Sequence, residues 1–199
     1  MASIRPPAIA GMFYPGDGAV LAHNVQAMLA AVAPDAASPP PKAIIAPHAG
    51  YIYSGPIAAS IYAMLAPARA RIKRVVLLGP THRVAVYGLA LPGVDAFATP
   101  LGLVKIDTDT VKKLMQLAFV GTNAEAHRMD HSLEVQLPFL QKALDDFVLI
   151  PLAVGRASAE QVAQVIDLLW GGEETLIVVS SDMSHYLPYA EAQIGRAHV

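Results

Sequence analysis

Two kinds of apolar pattern alternate along the chain. At residues 43–46, 74–79, 147–154 and 175–179 apolar side chains follow one another with almost no polar break, as in strands covered on both faces. Between these runs, apolar residues return at helical spacing. Leu21, Val25, Met28, Leu29 and Val32 make one stripe; Val111, Leu114, Met115 and Ala118 a second; Val162, Val165, Ile166 and Leu169 a third. Each predicts a helix with one buried face. The boundary residues agree: Asp107 is placed to cap the second helix, Ser158-Ala159-Glu160-Gln161 has the capping-box pattern, and Gly171-Gly172 closes the third.

The remaining segments are read from their prolines and glycines. Residues 1–18 form an extended arm pinned by Phe13-Tyr14-Pro15, and residues 56–65 a helix with Pro56 in its first turn. Residues 86–91 read as a further strand, 93–103 as a long loop, and 121–130 as a polar loop. Ser132 is placed to cap a helix running to about Leu144 that Pro138 kinks or breaks. Strands alternating with helices predict an α/β fold, a largely parallel or mixed central sheet with helices on both faces.

Composition narrows the picture. With 199 residues, 54% of them hydrophobic, the chain is long enough for one domain with a sizeable core, taken as residues 1–193. A net charge of -2 supplies no basic field, so neither nucleic acid nor an anionic membrane is expected as a partner. No stretch approaches the ~20 apolar residues of a membrane helix, and prolines interrupt the first fifteen residues where a signal peptide has its apolar core, so a cytoplasmic location is expected. The absence of cysteine removes disulfides and thiolate ligands.

The candidate chemistry lies where strands end. The first long run stops at Pro47-His48-Ala49-Gly50, the second at Gly79-Pro80-Thr81-His82, and the last at Ser180-Ser181-Asp182-Met183-Ser184-His185. Right-handed crossovers bring parallel strands to a common edge, where open α/β sheets bind ligands. Strands ~4.8 Å apart then let imidazoles from different strands meet, and clustered imidazoles suit a metal. A lone loop histidine is as easily structural as functional; three at the same relative place make a constellation. His131 has two readings, as donor to a buried acceptor or facing the cleft, and His23 falls off its helix stripe. Ser180, Ser181 and Ser184 sit in no Gly-x-Ser-x-Gly elbow, which disfavours a serine hydrolase.

These blocks, together with Ala8-Gly11-Phe13-Tyr14-Pro15 and Asp130-His131-Ser132-Leu133-Glu134, resemble the Memo (mediator of cell motility) family, whose bacterial members are also called AmmeMemoRadiSam system protein B. That family is similar in structure to the class III extradiol dioxygenases. The resemblance implies that His48 and His82 are metal ligands for Fe(2+) or Cu, and that Asp182 and His185 face the site, His185 in the place of the dioxygenase acid/base. It puts His131 behind the ligands or on the cleft wall, and it makes Tyr51 a ligand-binding residue. It also implies a third metal ligand, a cysteine or glutamate, in a C-terminal part that this chain lacks. Residues 194–199 break the pattern and are read as a non-native tail on a truncated chain, whose exposed sheet edge predicts poor solubility or a missing partner segment. The function expected is dioxygenase-like or redox chemistry at a metal; the rival is a non-enzymatic cleft for a peptide or small ligand.

Overall fold

A computed structural model describes residues 2–33, 39–184 and 187–196. In chain order the elements are β1 (Ile4–Arg5), α1 (Gly18–Ala30), β2 (Ala43–Ala46), α2 (Tyr51–Tyr62), β3 (Arg74–Pro80), β4 (Leu89–Leu91), β5 (Ala96–Thr99), β6 (Gly102–Lys105), α3 (Thr108–Leu114), β7 (Val120–Thr122), α4 (Ala124–Arg128), α5 (Leu137–Ala143), β8 (Val148–Val154), α6 (Ala159–Leu169) and β9 (Thr175–Ser180). Six strands form the central sheet in the order β2-β9-β3-β8-β4-β7. β2, β9, β3 and β8 run parallel, and β4 turns antiparallel against β8, so the sheet is mixed.

Helices on both faces explain the unbroken apolar runs of β3, β8 and β9; β2, expected to be covered on both faces, is the edge strand and alternates, with Ala43 and Ile45 exposed and Ile44 and Ala46 buried. Ile44, Val75, Leu77 and Val178 pack with Leu21, Val25, Ala59, Tyr62 and Phe139 on one side. Val76, Leu78, Ile150 and Ile177 pack with Leu114, Val165 and Leu169 on the other. Successive residues of one strand thus enter opposite cores, each buried aliphatic side chain contributing roughly 1.5–3 kcal/mol. Two capping assignments hold, since Asp107 accepts the Thr110 N–H and Ser158 and Gln161 cap each other reciprocally; Ser132, expected to cap a helix, instead turns its hydroxyl to the Pro80 carbonyl.

Other boundaries differ from the expectation. α2 begins at Tyr51, with Gly50 as its N-cap, so Pro56 lies inside the helix. The missing N–H would have met the carbonyl of Ile52, and that residue is 84% exposed, so the unmatched carbonyl lies at the solvent side. Pro138 breaks the expected helix: residues Glu134–Gln136 form a 3-10 turn and α5 starts at Leu137, with the proline in its first turn. The segment read as a loop at 93–103 contains the β5–β6 hairpin, which pairs with β1 in a second, three-stranded sheet. Pro100 and Leu101 make its turn, and Gly102, the first residue of β6, lies at φ 118°. The 121–130 segment holds β7 and α4, both too short for a periodic signal.

Candidate metal centre

Register decides what meets at the sheet edge. Ala46 pairs with Ser180 across β2 and β9, and β3 lies on the other side of β9. His48, His82 and Asp182 each stand two residues beyond the end of their strand. The parallel arrangement therefore delivers them to one rim. His131 arrives there from the loop between α4 and the 134–136 turn.

The rings of His48 and His82 lie 5.2 Å apart, edge to face; His131 stacks on His82 at 4.4 Å and meets His48 at 5.4 Å. One ligand-capable nitrogen of each of the three histidines lies within 4.8 Å of the other two, so the cluster can hold a metal ion. It is graded in access: His48 is 1% exposed, His131 half-buried, and His82 exposed. Phe13, from the N-terminal arm, closes the far side of His131 at 4.6 Å.

Two of the imidazoles, those of His82 and His48, are held from behind. Asp130 receives the His82 backbone N–H at 2.9 Å on the same oxygen that lies 3.2 Å from Nδ1, and its other oxygen receives the Ser132 N–H at 2.8 Å. Burial opposes ionisation of Asp130, but the hydrogen bonds from Ser132 and His82 outweigh it and hold its pKa below the ordinary value. A carboxylate behind a histidine fixes its ring and raises its basicity as a ligand. His48 Nδ1 lies 3.0 Å from Ser180 Oγ, and its backbone N–H donates to Asp182 Oδ1 at 2.5 Å. The second oxygen of Asp182 stands 3.7 Å from His48 Nε2.

Electrostatics favour a neutral His131 ring, the form a metal requires. Burial, then the neighbouring His82 and, more weakly, His48, lower the pKa of His131 to about 4, against the opposing pull of Asp130 and Asp182. At neutral pH it is an unprotonated nitrogen donor.

Of the residues singled out in the sequence, His48, His82 and Asp182 are brought together, and His131 joins them. Where the resemblance puts the third donor outside this chain, the cluster already contains a third imidazole. His185 lies outside the described residues. Tyr51 is buried; its hydroxyl donates to the Val135 carbonyl at 2.6 Å, and its ring packs between Tyr14 and Phe139.

Sequence reasoning missed the supports. Glu134, fully buried, accepts from Arg5, Tyr14 and the backbone N–H groups of Ala8 and Ile9, and Arg5 in turn donates to the carbonyls of His127 and Asp130. This network ties the arm to the loop that carries His131. Only the presence of acidic residues inside an otherwise apolar block hinted at it. Ser180, Gln136 and Ser132 likewise gave no periodic signal, because their partners are distant in sequence.

Two cavities flank the cluster. One of about 420 Å³ opens beside His82 and carries Arg83 and Arg156. The other, about 580 Å³ and mostly apolar, lies beyond Phe13 between the arm, α1 and α2. Among the described residues no helix is long and apolar enough to cross a membrane.

Comparison with known proteins agrees with this architecture. A family model described as "Memo-like protein" matches residues 5–197. A MEMO1 family protein of Aquifex aeolicus (strain VF5) is 39% identical over 194 residues, covering 96% of this chain and 70% of the relative. One from Archaeoglobus fulgidus is 35% identical over 196 residues, covering 96% of this chain and 71% of the relative.

Proposed function

The chain belongs to the Memo-like family, and from that premise we propose that its imidazole cluster is the seat of a redox-active metal, iron or copper, that acts on a small molecule in the cleft. The observation that carries this reading is the convergence of His48, His82 and His131, with their nitrogens within 4.8 Å of one another. The donor set fits: imidazole is a ligand for iron and copper alike, and three such donors leave positions open for other molecules. Held there, such a metal supplies Lewis acidity and one-electron chemistry.

The chain's own residues supply orientation and proton handling. Asp130 holds the His82 ring, and Ser180 the His48 ring. Asp182 places a carboxylate oxygen 3.7 Å from His48 Nε2, where it can hold a proton or a cation. By the resemblance, His185 is the acid/base that takes the substrate proton. Phe13 shields the His131 side from water.

A second reading, a cleft that binds a peptide or small acidic ligand without turnover, draws on the cavity of about 420 Å³ beside His82, whose Arg83 and Arg156 favour an anionic group. Metal analysis separates the two. Anaerobic titration with Fe(II), and separately with Cu(I), is expected to saturate at one ion per chain and to weaken strongly in His48→Ala, His82→Ala and His131→Ala. Equal binding by the His48→Ala/His82→Ala double variant would leave the binding-cleft reading in its place.

A further inference from the structure

Ser180 ends β9 with its side chain 2% exposed, directly behind the most buried imidazole of the cluster. Three polar groups meet its hydroxyl, and their chemistry decides where every proton sits. The Ser132 carbonyl, 2.6 Å away, can only accept, so the single hydroxyl proton of Ser180 points there. The Gln136 side-chain nitrogen lies 2.9 Å away and also faces the carbonyls of Pro47 at 2.9 Å and Ala46 at 3.4 Å. An amide oxygen facing two carbonyls would be repelled, so this atom is the NH₂ group, while the Gln136 oxygen accepts from the Tyr62 hydroxyl at 2.9 Å. Gln136 therefore donates to Ser180. The hydroxyl's one remaining lone pair faces His48 Nδ1 at 3.0 Å, and it can be filled only by a donor.

We infer that Ser180 is a positioning residue that fixes His48 as the Nδ1–H tautomer, so that Nε2 is the basic nitrogen presented to the cluster. Two side chains thus orient two ligands by different means: a carboxylate behind His82 and a neutral hydroxyl behind His48. The hydroxyl leaves no formal charge in a pocket where a second buried carboxylate would be costly. The same serine joins three separate pieces of chain. It links the end of β2, through His48, to the loop of Ser132 and Gln136, while Ser132 Oγ donates to the Pro80 carbonyl at the end of β3. Orientation of His48 and placement of the loop bearing His131 are thereby one connected arrangement.

The inference deepens the metal reading and rests on it for consequence, but its primary readout needs no metal. In metal-free, full-length protein with ¹⁵N-labelled histidine, at mildly alkaline pH, the ring nitrogen shifts of His48 report its tautomer, the signal being assigned by its loss in His48→Gln. The expected result is Nδ1 protonated and Nε2 bare. Ser180→Ala is expected to mix the two tautomers and to weaken Fe(II) binding roughly 10- to 100-fold, as loss of a partner behind a ligand does, and Ser180→Thr, which keeps the hydroxyl, is expected to restore both. A wild-type His48 protonated at Nε2 would overturn the inference, and so would a Ser180→Ala protein with unchanged tautomer. The wild-type measurement stands even if the alanine variant does not fold. If the tautomer behaves as expected while the wild-type protein takes up no Fe(II) or Cu(I), the positioning role stands and the metal reading falls.

Discussion

Glu134→Gln is the substitution for which the structure dictates the largest effect without touching a ligand. The carboxylate has no solvent exposure and receives Arg5 Nη1 at 2.5 Å, the Tyr14 hydroxyl at 2.6 Å, and the Ala8 and Ile9 N–H groups at 2.9 and 3.1 Å. An amide is nearly the same size, but whichever way it turns its NH₂ meets a donor: Arg5 at one position, the Ile9 N–H at the other. The Arg5 guanidinium, 6% exposed, would also lose its counter-charge. Breaking one half of a buried pair costs about 3–5 kcal/mol, a large share of the roughly 5–15 kcal/mol that holds a domain together. In equilibrium urea unfolding followed by circular dichroism, a slope of about 2 kcal/mol/M turns that loss into a fall of about 2 M in midpoint. The double variant Arg5→Met/Glu134→Gln is expected to lose less than the sum of the two single variants, because the stranded charge is gone. A midpoint drop below about 0.5 M for Glu134→Gln, equivalent to about 1 kcal/mol at that slope, would refute the claim that this carboxylate anchors the arm.

Three further outcomes follow from particular contacts. Burial, partly offset by the bond to the Ala90 carbonyl, lowers the pKa of His127 to about 4, so between about pH 6.5 and 4 the unfolded chain binds more protons than the folded one. The stability His127 contributes is complete above about pH 6.5 and falls by about 3 kcal/mol as pH drops to about 4; His127→Gln, which can still donate to Ala90, should flatten that slope, and urea midpoints of equal pH dependence in the two proteins would contradict it. A methyl group at Gly79 would sit 2.8 Å from Leu133 Cδ2 and 2.9 Å from Ser132 Oγ, so Gly79→Ala should push the His131 loop outward, cost roughly 1–3 kcal/mol and weaken Fe(II) binding; unchanged melting temperature and affinity would count against the tight approach. Ser158→Ala removes the reciprocal cap of α6 and should cost about 1 kcal/mol while leaving Fe(II) titration unaltered, a control that separates stability from the site.

How legible the molecule was depends on the range of the interaction involved. The buried strands could be read because the interior-facing runs at 74–79 and 147–154 are continuous in sequence, and the helix starts because Asp107 and Ser158 bond their own neighbours. The β5–β6 hairpin, β7 and α4 escaped because elements of three to five residues carry at most about two strand periods or about one and a half helical turns, too few repeats to stand out. Pro56 misled because its usual place is a helix start, whereas here the first turn is formed by Gly50 and Tyr51 under the arm, with the Tyr51 N–H donating to the Phe13 carbonyl at 2.8 Å.

At the site, the sequence put His48 and His82 just past the ends of two parallel strands, and parallel strands carry their ends to one rim; Asp182, placed at the site by the resemblance, follows its strand by the same two residues. That His131 stacks on His82, that Ser180 rather than a carboxylate stands behind His48, and that Glu134 ties the arm to this loop were decided only by the tertiary structure. Local sequence encodes the period and the caps because those interactions span a few residues. Contacts 48, 126 or 132 residues apart depend on how packed layers bring loops together, and no local pattern records that distance.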